Sequence, residues 1–588
     1  MFEITDTLIR TFRKYHIPMS RPDAELLQRM IRAGRGGEPA DLVLKNAALL
    51  DVITGTTTTT DIAIVADRIV GTHATYSGKT EIDVTGLTAV PGFIDTHLHI
   101  ESSLVTPFEF DRCVLPHGVT TIVCDPHEIA NVLGAEGIRY FVESAEHTIM
   151  DVHVNLSSCV PATNFETSGA RLEIEDLLPF RDRPKVIGLA EVMNFPGVIN
   201  TDPGIIAKLE AFQGGHMDGH APLLRGTDLN AYLAAGIRTD HEATTAEEAR
   251  EKLAKGMFIL MREGSVSKDL DALAEILDEN TANYVALCTD DRNPLDIGEE
   301  GHLDALIRRL IAKGVAPHLV YRVASHTAAR IFGLMDRGLI APGWRADMAL
   351  LSNVNSCQVE MVISGGRLVT PELFAARHTI PPVGLDSMKA KPVAPSDFIT
   401  EPKPNQNAVP VIGVKPGLII TFREEAVLAS TAEGLQPDLD KDVIKVAVVE
   451  RHGINGNIGR AFVKGFGLKS GAIASSIGHD SHNITVIGAS DTAMARAVNH
   501  IIEMGGGFCV ATDDEVRADL PLPIAGLMSL EPFEVVEKHL ESLRSEAHKL
   551  GCILPEPFLQ VAFLALPVIP HLKMTDRGLF DVDKFDFI

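Results

Sequence analysis

Aromatic side chains and long apolar runs are both scarce in this sequence. Phe, Tyr and Trp make up 5% of its 588 residues, with a single Trp, so the hydrophobic cores must be mainly aliphatic. The longest apolar run near the end, residues 558–570, is interrupted by Gln560 and Pro567. Nothing approaches the roughly 18 apolar residues of a membrane-spanning helix. The N-terminal MFEITDTLIR carries acids early and lacks the apolar centre of a signal peptide. We therefore expect no membrane partner.

Cysteine and positive charge are also limited. Seven cysteines lie scattered without a C-x-x-C pair, which favours reduced thiols and a cytoplasmic location over a disulfide framework. The 53 Lys and Arg residues are outnumbered by 79 Asp and Glu residues, for a net charge of −26. A chain of this charge repels phosphate backbones, so we expect no nucleic-acid partner. With 45% hydrophobic and 22% charged residues, the composition is typical of a globular protein.

A chain of this length is expected to form more than one domain, and its periodicity changes along the sequence. Residues 1–40 predict an N-terminal helical extension, because apolar residues recur there at helical spacing. Residues 41–89 and 338–390 contain short β-branched strands, which predict a small β-domain split in sequence. The Pro- and Lys-rich stretch 391–417 is typical of a linker. Residues 418–588 predict a C-terminal α/β or α+β domain.

The segment between the two halves of the split β-domain alternates in a regular way. In residues 90–337, eight short apolar runs are each followed by a helical, charged stretch. Both the count and the length fit a (β/α)8 barrel. The predicted fold class is therefore α/β, with a (β/α)8 barrel, a β-sandwich split around it and an additional C-terminal domain. The runs are AVPGFIDTHLHI, GVTTIVCDPHE, DVHVNLSSCV, KVIGLAEVM, GGHMDGHAPL, GIRTDHE, GMFILMREGS and YVALCTDDR.

The first of these runs ends in an H-x-H motif. Alternate residues of a strand point to the same face, so His97 and His99 are expected to project together into the mouth of the barrel. Two imidazoles on one face can bind a metal ion. Two unrelated polar residues at a strand end would look the same, so the later runs decide between the two interpretations.

Four later runs end in further potential ligands. Catalytic groups of such barrels cluster at the carboxyl ends of the strands, where the fourth, fifth, sixth and eighth runs place Glu191, His220, His241 and Asp290. Together with the H-x-H pair, this makes six groups, too many for one tetrahedral ion. The set fits two metal ions bridged by Glu191. His216, four residues before His220, stays open as an alternative ligand from the fifth run.

Several of these motifs resemble those of the amidohydrolase superfamily, whose members place H-x-H after a PGFIDT-like segment. The longer segments HIESS, CDPHEIANV, GLAEVMN, DGHAP, DHE and CTDDR are similar to the bacterial adenine deaminase family. The similarity continues into the C-terminal domain, in HGINGNIGRAFVKGFGLKSGAIASSIGHDSHN. This resemblance implies a binuclear centre of Mn or Fe and hydrolysis of adenine to hypoxanthine and ammonia. The same ligand types also accept Zn.

The fourth run bears on the competing enzyme classes. Many superfamily members bridge their metals with a carboxylated lysine on the fourth strand, whereas this run ends in Glu191, and Lys185 lies at its start. This difference fits the adenine deaminase branch and argues against a cyclic amidohydrolase of the hydantoinase or dihydropyrimidinase kind. A catalytically inactive barrel acting as a scaffold is the third hypothesis. The intact set of six potential ligands argues against it.

The expected chemistry is attack of a metal-activated hydroxide on C6 of the purine. Divalent metals lower the pKa of bound water. Asp290 is predicted to accept the proton of the water and to pass one to the departing ammonia. A metal ligand with no catalytic role is the alternative for this residue. Asp291 is expected to point to the opposite face if the strand continues through it.

Three carboxylates after the first two strands are candidates for binding the purine substrate. Glu101 follows H-x-H in HIESS, and Asp125 and Glu128 end the second run in DPHE. Carboxylates can accept a purine N–H, but they can also orient metal-bound histidines, and both roles stay open. His127 could be a further ligand or a surface-loop histidine, and we favour the surface loop.

A second cluster of potential ligands lies in the C-terminal GHDSHN segment. His479, Asp480 and His482, together with His452, could form a second metal or substrate-facing site. We favour the interpretation that they form a polar loop packed over the mouth of the barrel. A homodimer is the expected oligomeric state.

Overall fold

The computed structural model describes residues 22–402 and 408–588. Of the predicted N-terminal extension, residues 1–21 lie outside the described residues. The remainder contains helix α1 (Ala24–Gly34), which Asp23 caps by accepting a hydrogen bond from the backbone N–H of Leu26. One face of α1, including Leu26 and Met30, packs on the adjoining sheet. This arrangement follows from the helical spacing of its apolar residues.

Five strands precede the barrel and form the first part of a flanking sheet. The longest of them, β1, pairs antiparallel with β2 on one edge. Its other edge pairs with β4 along its first half and with β5 along its second half. The five strands are β1 (Ala40–Leu50), β2 (Thr57–Val65), β3 (Arg68–Gly71), β4 (Gly78–Asp83) and β5 (Thr88–Pro91).

Eight parallel strands then form the barrel, in five- and three-stranded sheets. The sheets join where Arg238 N–H donates to Met217 O and where Leu98 pairs with Asp290. Most of these strands are buried on both faces, so their sequences read as nearly continuous apolar runs. They are β6 (Phe93–Leu98), β7 (Val119–Cys124), β8 (Asp151–Leu156), β9 (Val186–Val192), β10 (His216–Gly219), β11 (Thr239–Asp240), β12 (Phe258–Arg262) and β13 (Val285–Cys288).

Helices follow the barrel strands along the chain. The outer layer that they form buries apolar side chains against the strands, for example Leu306 and Leu310. These helices are α2 (Pro107–Val114), α3 (His127–Leu133), α4 (Ala135–Ala145), α5 (Ile174–Arg181), α6 (Phe195–Ile199), α7 (Pro203–Ala211), α8 (Gly226–Ala234), α9 (Ala246–Ala254), α10 (Leu270–Leu273), α11 (Pro294–Glu300), α12 (Leu303–Ala312), α13 (Pro317–Arg322) and α14 (Ala328–Ile331).

After the barrel, the chain returns to the flanking sheet through β14 (Met348–Asn353), β15 (Gln358–Ser364) and β16 (Arg367–Leu368). Strand β14 pairs antiparallel with β5, with Met348 opposite Pro91. Side chains from both parts of the chain therefore share one core, as Leu44 and Met348 do. The short helix α15 (Pro371–Ala375) follows.

The C-terminal part is built on a second eight-stranded sheet, ordered β18-β17-β22-β21-β24-β23-β25-β26. Its first strand, β17, lies within the stretch predicted as a linker, so the sheet begins ahead of residue 418. In the same stretch, Phe398 is buried. The strands are β17 (Val409–Gly413), β18 (Phe422–Ala426), β19 (Ser430–Thr431), β20 (Gly434–Leu435), β21 (Val443–Val449), β22 (Ile458–Lys464), β23 (Ala472–Ser475), β24 (Ile484–Gly488), β25 (Gly507–Ala511), β26 (Val516–Pro521), β27 (Leu572–Thr575), β28 (Gly578–Asp581) and β29 (Asp586–Phe587).

The two faces of this sheet have different partners. Helix α16 (Asp491–Met504) packs on one face, while the apolar residues of the other face join the continuous core that includes the barrel. Two further helices, α17 (Phe533–Lys549) and α18 (Pro557–Ala562), complete this part. The backbone N–H of Ser529 donates to Leu104 O, which fixes the C-terminal part at the mouth of the barrel. In the described ranges, no helix is long and apolar enough to cross a bilayer.

Candidate metal centre and substrate cavity

The two histidines of H-x-H lie side by side at the end of β6. His97 and His99 are both buried, and their ring centroids are 5.0 Å apart. His97 Nδ1 lies 3.1 Å from an oxygen of Asp218, and His99 Nδ1 lies 2.9 Å from the backbone carbonyl of Asp125. These contacts orient both rings, so that the two Nε2 atoms face the same group of side chains.

Glu191, at the end of β9, lies between two groups of imidazoles. Its Oε1 is 3.3 Å from His99 Nε2 and 3.3 Å from His127 Nδ1. Its Oε2 is 2.6 Å from His220 Nδ1 and 3.4 Å from His241 Nε2. Burial raises the pKa of Glu191, but the surrounding imidazoles outweigh this effect and hold it well below its usual range. Each carboxylate oxygen thus faces a different set of nitrogen donors.

Asp290 closes the other side of this cluster. Its Oδ1 is 3.2 Å from His99 Nε2 and 3.6 Å from His97 Nε2, while its Oδ2 accepts a hydrogen bond from Arg262 Nη1 over 2.9 Å. Burial raises the pKa of this carboxyl, but the two histidines and the guanidinium together hold it well below its usual range. An ionised carboxylate in this position can receive a proton.

Strand alternation predicted that the side chain of Asp291 faces away from the site, but it does not. Strand β13 ends at Cys288, and Asp290 has a left-handed φ of 54°, so the period of two is already lost at Asp291. The side chain of Asp291 lines the same cavity as Asp290. Its Oδ1 accepts a hydrogen bond from Ser102 Oγ.

His127 is buried in the cluster, so its interpretation as a surface-loop histidine was wrong. It is the first residue of helix α3, and its ring centroid lies 4.4 Å from that of His99. Its Nδ1 also lies 3.1 Å from an oxygen of Asp125. The sequence gives one indication of this position, because DPHE directly follows the end of β7, where ligands of such barrels cluster.

The donor set fits divalent metal ions. His97 Nε2 is buried and has no hydrogen-bond partner in the described part of the chain, although it lies 3.8 Å from Glu191 and 3.6 Å from Asp290. Buried polar atoms are rarely left unpaired, and imidazole and carboxylate ligands suit transition metals. Several overlapping clusters have the required proximity, among them His99 with Asp125, His127 and Glu191; His97 with His99 and Asp290; His97 with Asp218 and His241; Glu191 with His220 and His241; and His127 with Glu128 and Asp480.

The three carboxylates predicted to bind substrate occupy different positions. Glu101 is buried, and its Oε1 accepts a hydrogen bond from the backbone N–H of Ile129. Asp125 accepts a hydrogen bond from Ser157 and contacts His127, which places it behind the histidines. Neither of them lines the cavity beside the metal cluster, whereas Glu128 does. The geometry of Asp125 matches the alternative role of orienting histidines.

The C-terminal domain forms one wall of this cavity. His479 Nδ1 contacts Glu128 Oε1 at 2.5 Å, and His482 contacts the other oxygen of the same carboxylate. His479 and Asp480 both line the cavity, so this loop is packed over the barrel mouth and also faces the site. His452 instead contacts the backbone carbonyl of Ser481. The cavity is lined by His99, His127, Glu128, Glu191, Met193, His220, His241, Glu242, Arg262, Ser267, Asp290, Asp291, Ile419, His479, Asp480, Phe563, Leu566, Val568 and Ile569.

Two alternatives left open by the sequence lie elsewhere. His216 is the first residue of β10, at the amino end of the strand, and its ring lies tilted against that of Phe332, with centroids 4.2 Å apart, within an apolar cluster. Lys185 precedes β9 and pairs with Asp151. Neither side chain reaches the cluster around Glu191.

Sequence reasoning missed two buried residues that support the site. Asp218 contacts His97 and accepts a hydrogen bond from Thr239. Arg262 ends β12 and contacts Glu242, Asp269 and Asp290. Both lie in barrel strands, and their positions in the sequence indicated strand residues but no role in the site.

Comparisons with known proteins cover most of the chain. Residues 88–369 match the amidohydrolase family, and residues 418–586 match the adenine deaminase C-terminal domain. An adenine deaminase of Brucella abortus (strain 2308) is 62% identical over 572 residues, which cover 97% of this chain and 98% of that protein. Adenine deaminase 1 of Rhizobium meliloti (strain 1021) is 62% identical over 565 residues, which cover 96% of this chain and 100% of that protein. The chain belongs to the adenine deaminase family.

Membership of the adenine deaminase family confirms the resemblance carried by the motifs, and the barrel with additional domains confirms the predicted fold class. A solved structure of an adenine deaminase is 17% identical to this chain, with a TM-score of 0.43, and covers 56% of this chain and 99% of that one. Amidohydrolases generally use divalent metal, and this chain brings together residue clusters that can hold it.

Proposed function

We propose that this protein hydrolyses adenine to hypoxanthine and ammonia at a centre of two divalent transition-metal ions, Mn or Fe in preference to Zn. The observation that carries the proposal is the position of Glu191, whose two oxygens face separate groups of imidazoles. A carboxylate so placed can bridge two cations and compensate part of their charge. The 62% identity to adenine deaminases over nearly the whole chain supports adenine as the substrate.

The residues proposed to hold the metals are those at the strand ends. Two cations can share Glu191, with the remaining ligands drawn from His97, His99, His220, His241 and Asp290. His127 joins this set because its Nδ1 lies as close to Glu191 as His99 Nε2 does. When bound, the metals supply a water of lowered pKa and a positive field for the developing charge.

Asp290 is proposed to move the protons of the reaction. Its Oδ1 faces the histidines, and its Oδ2 is held by Arg262, so the carboxylate is fixed at the edge of the cavity. It takes a proton from the attacking water as the C6–O bond forms. It returns a proton to the amino nitrogen as the C6–N bond breaks, so that ammonia departs and hypoxanthine remains. A general base of this kind contributes roughly 10²–10⁴-fold to the rate.

The decisive test measures ammonia release from a purine panel, with metal content determined on the same sample. We expect turnover of adenine and about two transition-metal ions per chain. Cleavage of a hydantoin or dihydropyrimidine without adenine turnover would identify a cyclic amidohydrolase instead. Absence of both stoichiometric metal and turnover would identify an inactive scaffold. The cytoplasmic location and the homodimer stay predictions from the sequence alone.

A further inference from the structure

Asp480 of the C-terminal domain presents an unpaired acceptor to the cavity. Its side chain lines the cavity and is 3% exposed, and its Oδ2 has no hydrogen-bond partner anywhere in residues 22–402 and 408–588. A buried acceptor without a partner is energetically costly. Such an atom in a cavity wall indicates that a ligand supplies the missing donor.

The position of Asp480 relative to the metal cluster restricts which group of the ligand can be that donor. His127 lies between the two, because its Nδ1 is 3.3 Å from Glu191 and its Nε2 is 4.0 Å from Asp480 Oδ1. Asp480 therefore stands about one imidazole ring away from Glu191, on the C-terminal wall. The reacting carbon and its amino group must lie at the Glu191 and Asp290 end, where the proton acceptor is.

Only one group of adenine is available to donate a hydrogen bond to Asp480. Its hydrogen-bond donors are the 6-amino group and a single N–H on the imidazole ring, whereas N1, N3 and the remaining ring nitrogen are acceptors. The amino group is the leaving group and lies at the metal end. An ionised carboxylate only accepts hydrogen bonds, so the donor that reaches Asp480 is the imidazole-ring N–H.

We propose that Asp480 accepts the imidazole-ring N–H of adenine and thereby selects the free base over purines substituted at N9. This inference rests on the proposed function. A nucleoside lacks this N–H and would leave the carboxylate buried and unpaired. Sites built to bind a substrate N–H reject analogues that lack it far more strongly than apolar pockets reject a missing methylene.

The loop that carries Asp480 is held in place by contacts on both sides. His479 contacts Glu128 and stacks on Phe563, with ring centroids 4.6 Å apart. The backbone N–H of His482 donates to Gly478 O, and Arg451 donates to His482 O. Asp480 is therefore positioned before substrate arrives, which lowers the entropic cost of binding.

The test compares adenine with 9-methyladenine in the metal-loaded full chain. We expect wild-type kcat/KM to favour adenine by about 10²-fold or more. In Asp480→Ala, kcat/KM for adenine should fall by about 10–10²-fold, while that for 9-methyladenine stays level or rises. Asp480→Asn retains one acceptor oxygen and should show a smaller fall. Asp111→Asn changes another buried carboxyl, which accepts hydrogen bonds from the backbone of Ile149 and Met150 and does not line the cavity, and should keep the wild-type ratio.

Several results would overturn the proposal. A wild-type enzyme that deaminates both compounds within tenfold of each other does not recognise the N–H, whatever the variants do. An equal loss for both compounds in Asp480→Ala, or unchanged adenine kinetics, removes Asp480 from recognition. The same loss of selectivity in the control variant Asp111→Asn also contradicts it. A protein without any adenine turnover refutes the proposed function itself, which the wild-type assay reports separately.

Discussion

Arg262 donates a hydrogen bond from Nη1 to Oδ2 of Asp290 over 2.9 Å, at the edge of the candidate metal cluster. The same guanidinium contacts Glu242 and Asp269, so one buried cation compensates three carboxylates. The proton affinity of Asp290 therefore depends on the guanidinium of Arg262 as well as on the histidines.

Removing this cation should shift the pH dependence of the reaction. In Arg262→Gln, the pKa of Asp290 is expected to rise, because a positive charge that lowers it is lost. A base must be ionised to act, so the acid limb of kcat moves to higher pH. The measurement is a pH profile of kcat with metal content at each pH. Arg292→Gln, which removes another buried arginine with partners away from the cavity, is the control. If the acid limb of kcat does not move in Arg262→Gln, or moves equally in both variants, Asp290 is not the base that Arg262 controls.

Asp290 and its neighbour should differ in the size of their effect. Asp290→Asn can still offer an oxygen to a metal but cannot take up a proton at neutral pH, so kcat should fall by roughly 10² or more with a modest loss of metal. Asp291→Asn should cost less, since Ser102 already occupies one of its oxygens. Single-turnover rates and metal content decide between them. If Asp291→Asn is the inactive variant, the proton-transfer role belongs to Asp291.

The bridging role of Glu191 can be tested through metal stoichiometry. Glu191→Gln keeps the size of the side chain but loses its charge, so two cations are less compensated and one site should empty preferentially. Metal analysis should then give about one ion per chain instead of two. Glu101→Gln is the matched control, because this buried carboxyl contacts the backbone of Ile129 and does not line the cavity. Two ions per chain in Glu191→Gln would argue that another group bridges them.

The two histidines of the fifth strand provide a paired comparison. His220 Nδ1 lies 2.6 Å from Glu191 Oε2, whereas His216, at the amino end of the strand, packs against the ring of Phe332. His220→Ala should therefore lose metal and activity together, and His216→Gln should retain both apart from a modest loss of thermal stability. The reverse pattern of metal content would exchange their roles.

Lys573 should make stability depend on pH. Its amino group is buried and donates to the carbonyls of Ile419 and Phe563, and burial lowers its pKa from 10.5 to about 7. Between about pH 7 and 10, the unfolded chain holds a proton that the folded chain lacks, so this group makes stability rise with pH. The slope approaches about 1.4 kcal/mol per pH unit.

The measurement is the free energy of unfolding across this range for the wild type and Lys573→Met. The difference between them should grow in favour of the wild type as pH rises. Lys252→Met is the control, because Lys252 is buried beside Asp240 and Glu248, which raise its pKa despite the opposing effect of burial. Its contribution should stay constant below about pH 10. A flat difference for Lys573→Met would show that its amine stays charged in the fold.

The fold could be predicted because its signals are local and repeated. Each barrel strand is a short run bounded by turns and followed by a helix, and eight such runs leave few alternatives. The pair His97 and His99 was predictable for the same reason, since alternation holds within β6. Glu191, His220, His241 and Asp290 were predicted as ligands because they stand at the ends of runs, where a parallel barrel collects its functional groups.

The predictions that were wrong or incomplete concern residues beyond the ends of strands and helices. Asp291 follows a residue in a left-handed conformation, where alternation no longer applies. His127 begins a helix, and its approach to Glu191 depends on the path of the chain after β7. The contribution of Asp480 depends on how a separate domain docks, and no local periodicity encodes that. The strand Val409–Gly413 was hidden by the prolines and lysines around it.

The C-terminal wall of the cavity also affects the biosynthesis of the protein. Translation produces His99 long before Phe563 and Ile569, which line the same cavity. A nascent chain that has completed the barrel still lacks Asp480 and the surfaces around it. Contacts between segments so far apart in sequence form slowly. The enclosed site therefore exists only once the C-terminal domain has been synthesised and has folded, and chains truncated before this domain would leave the mouth of the barrel open to solvent.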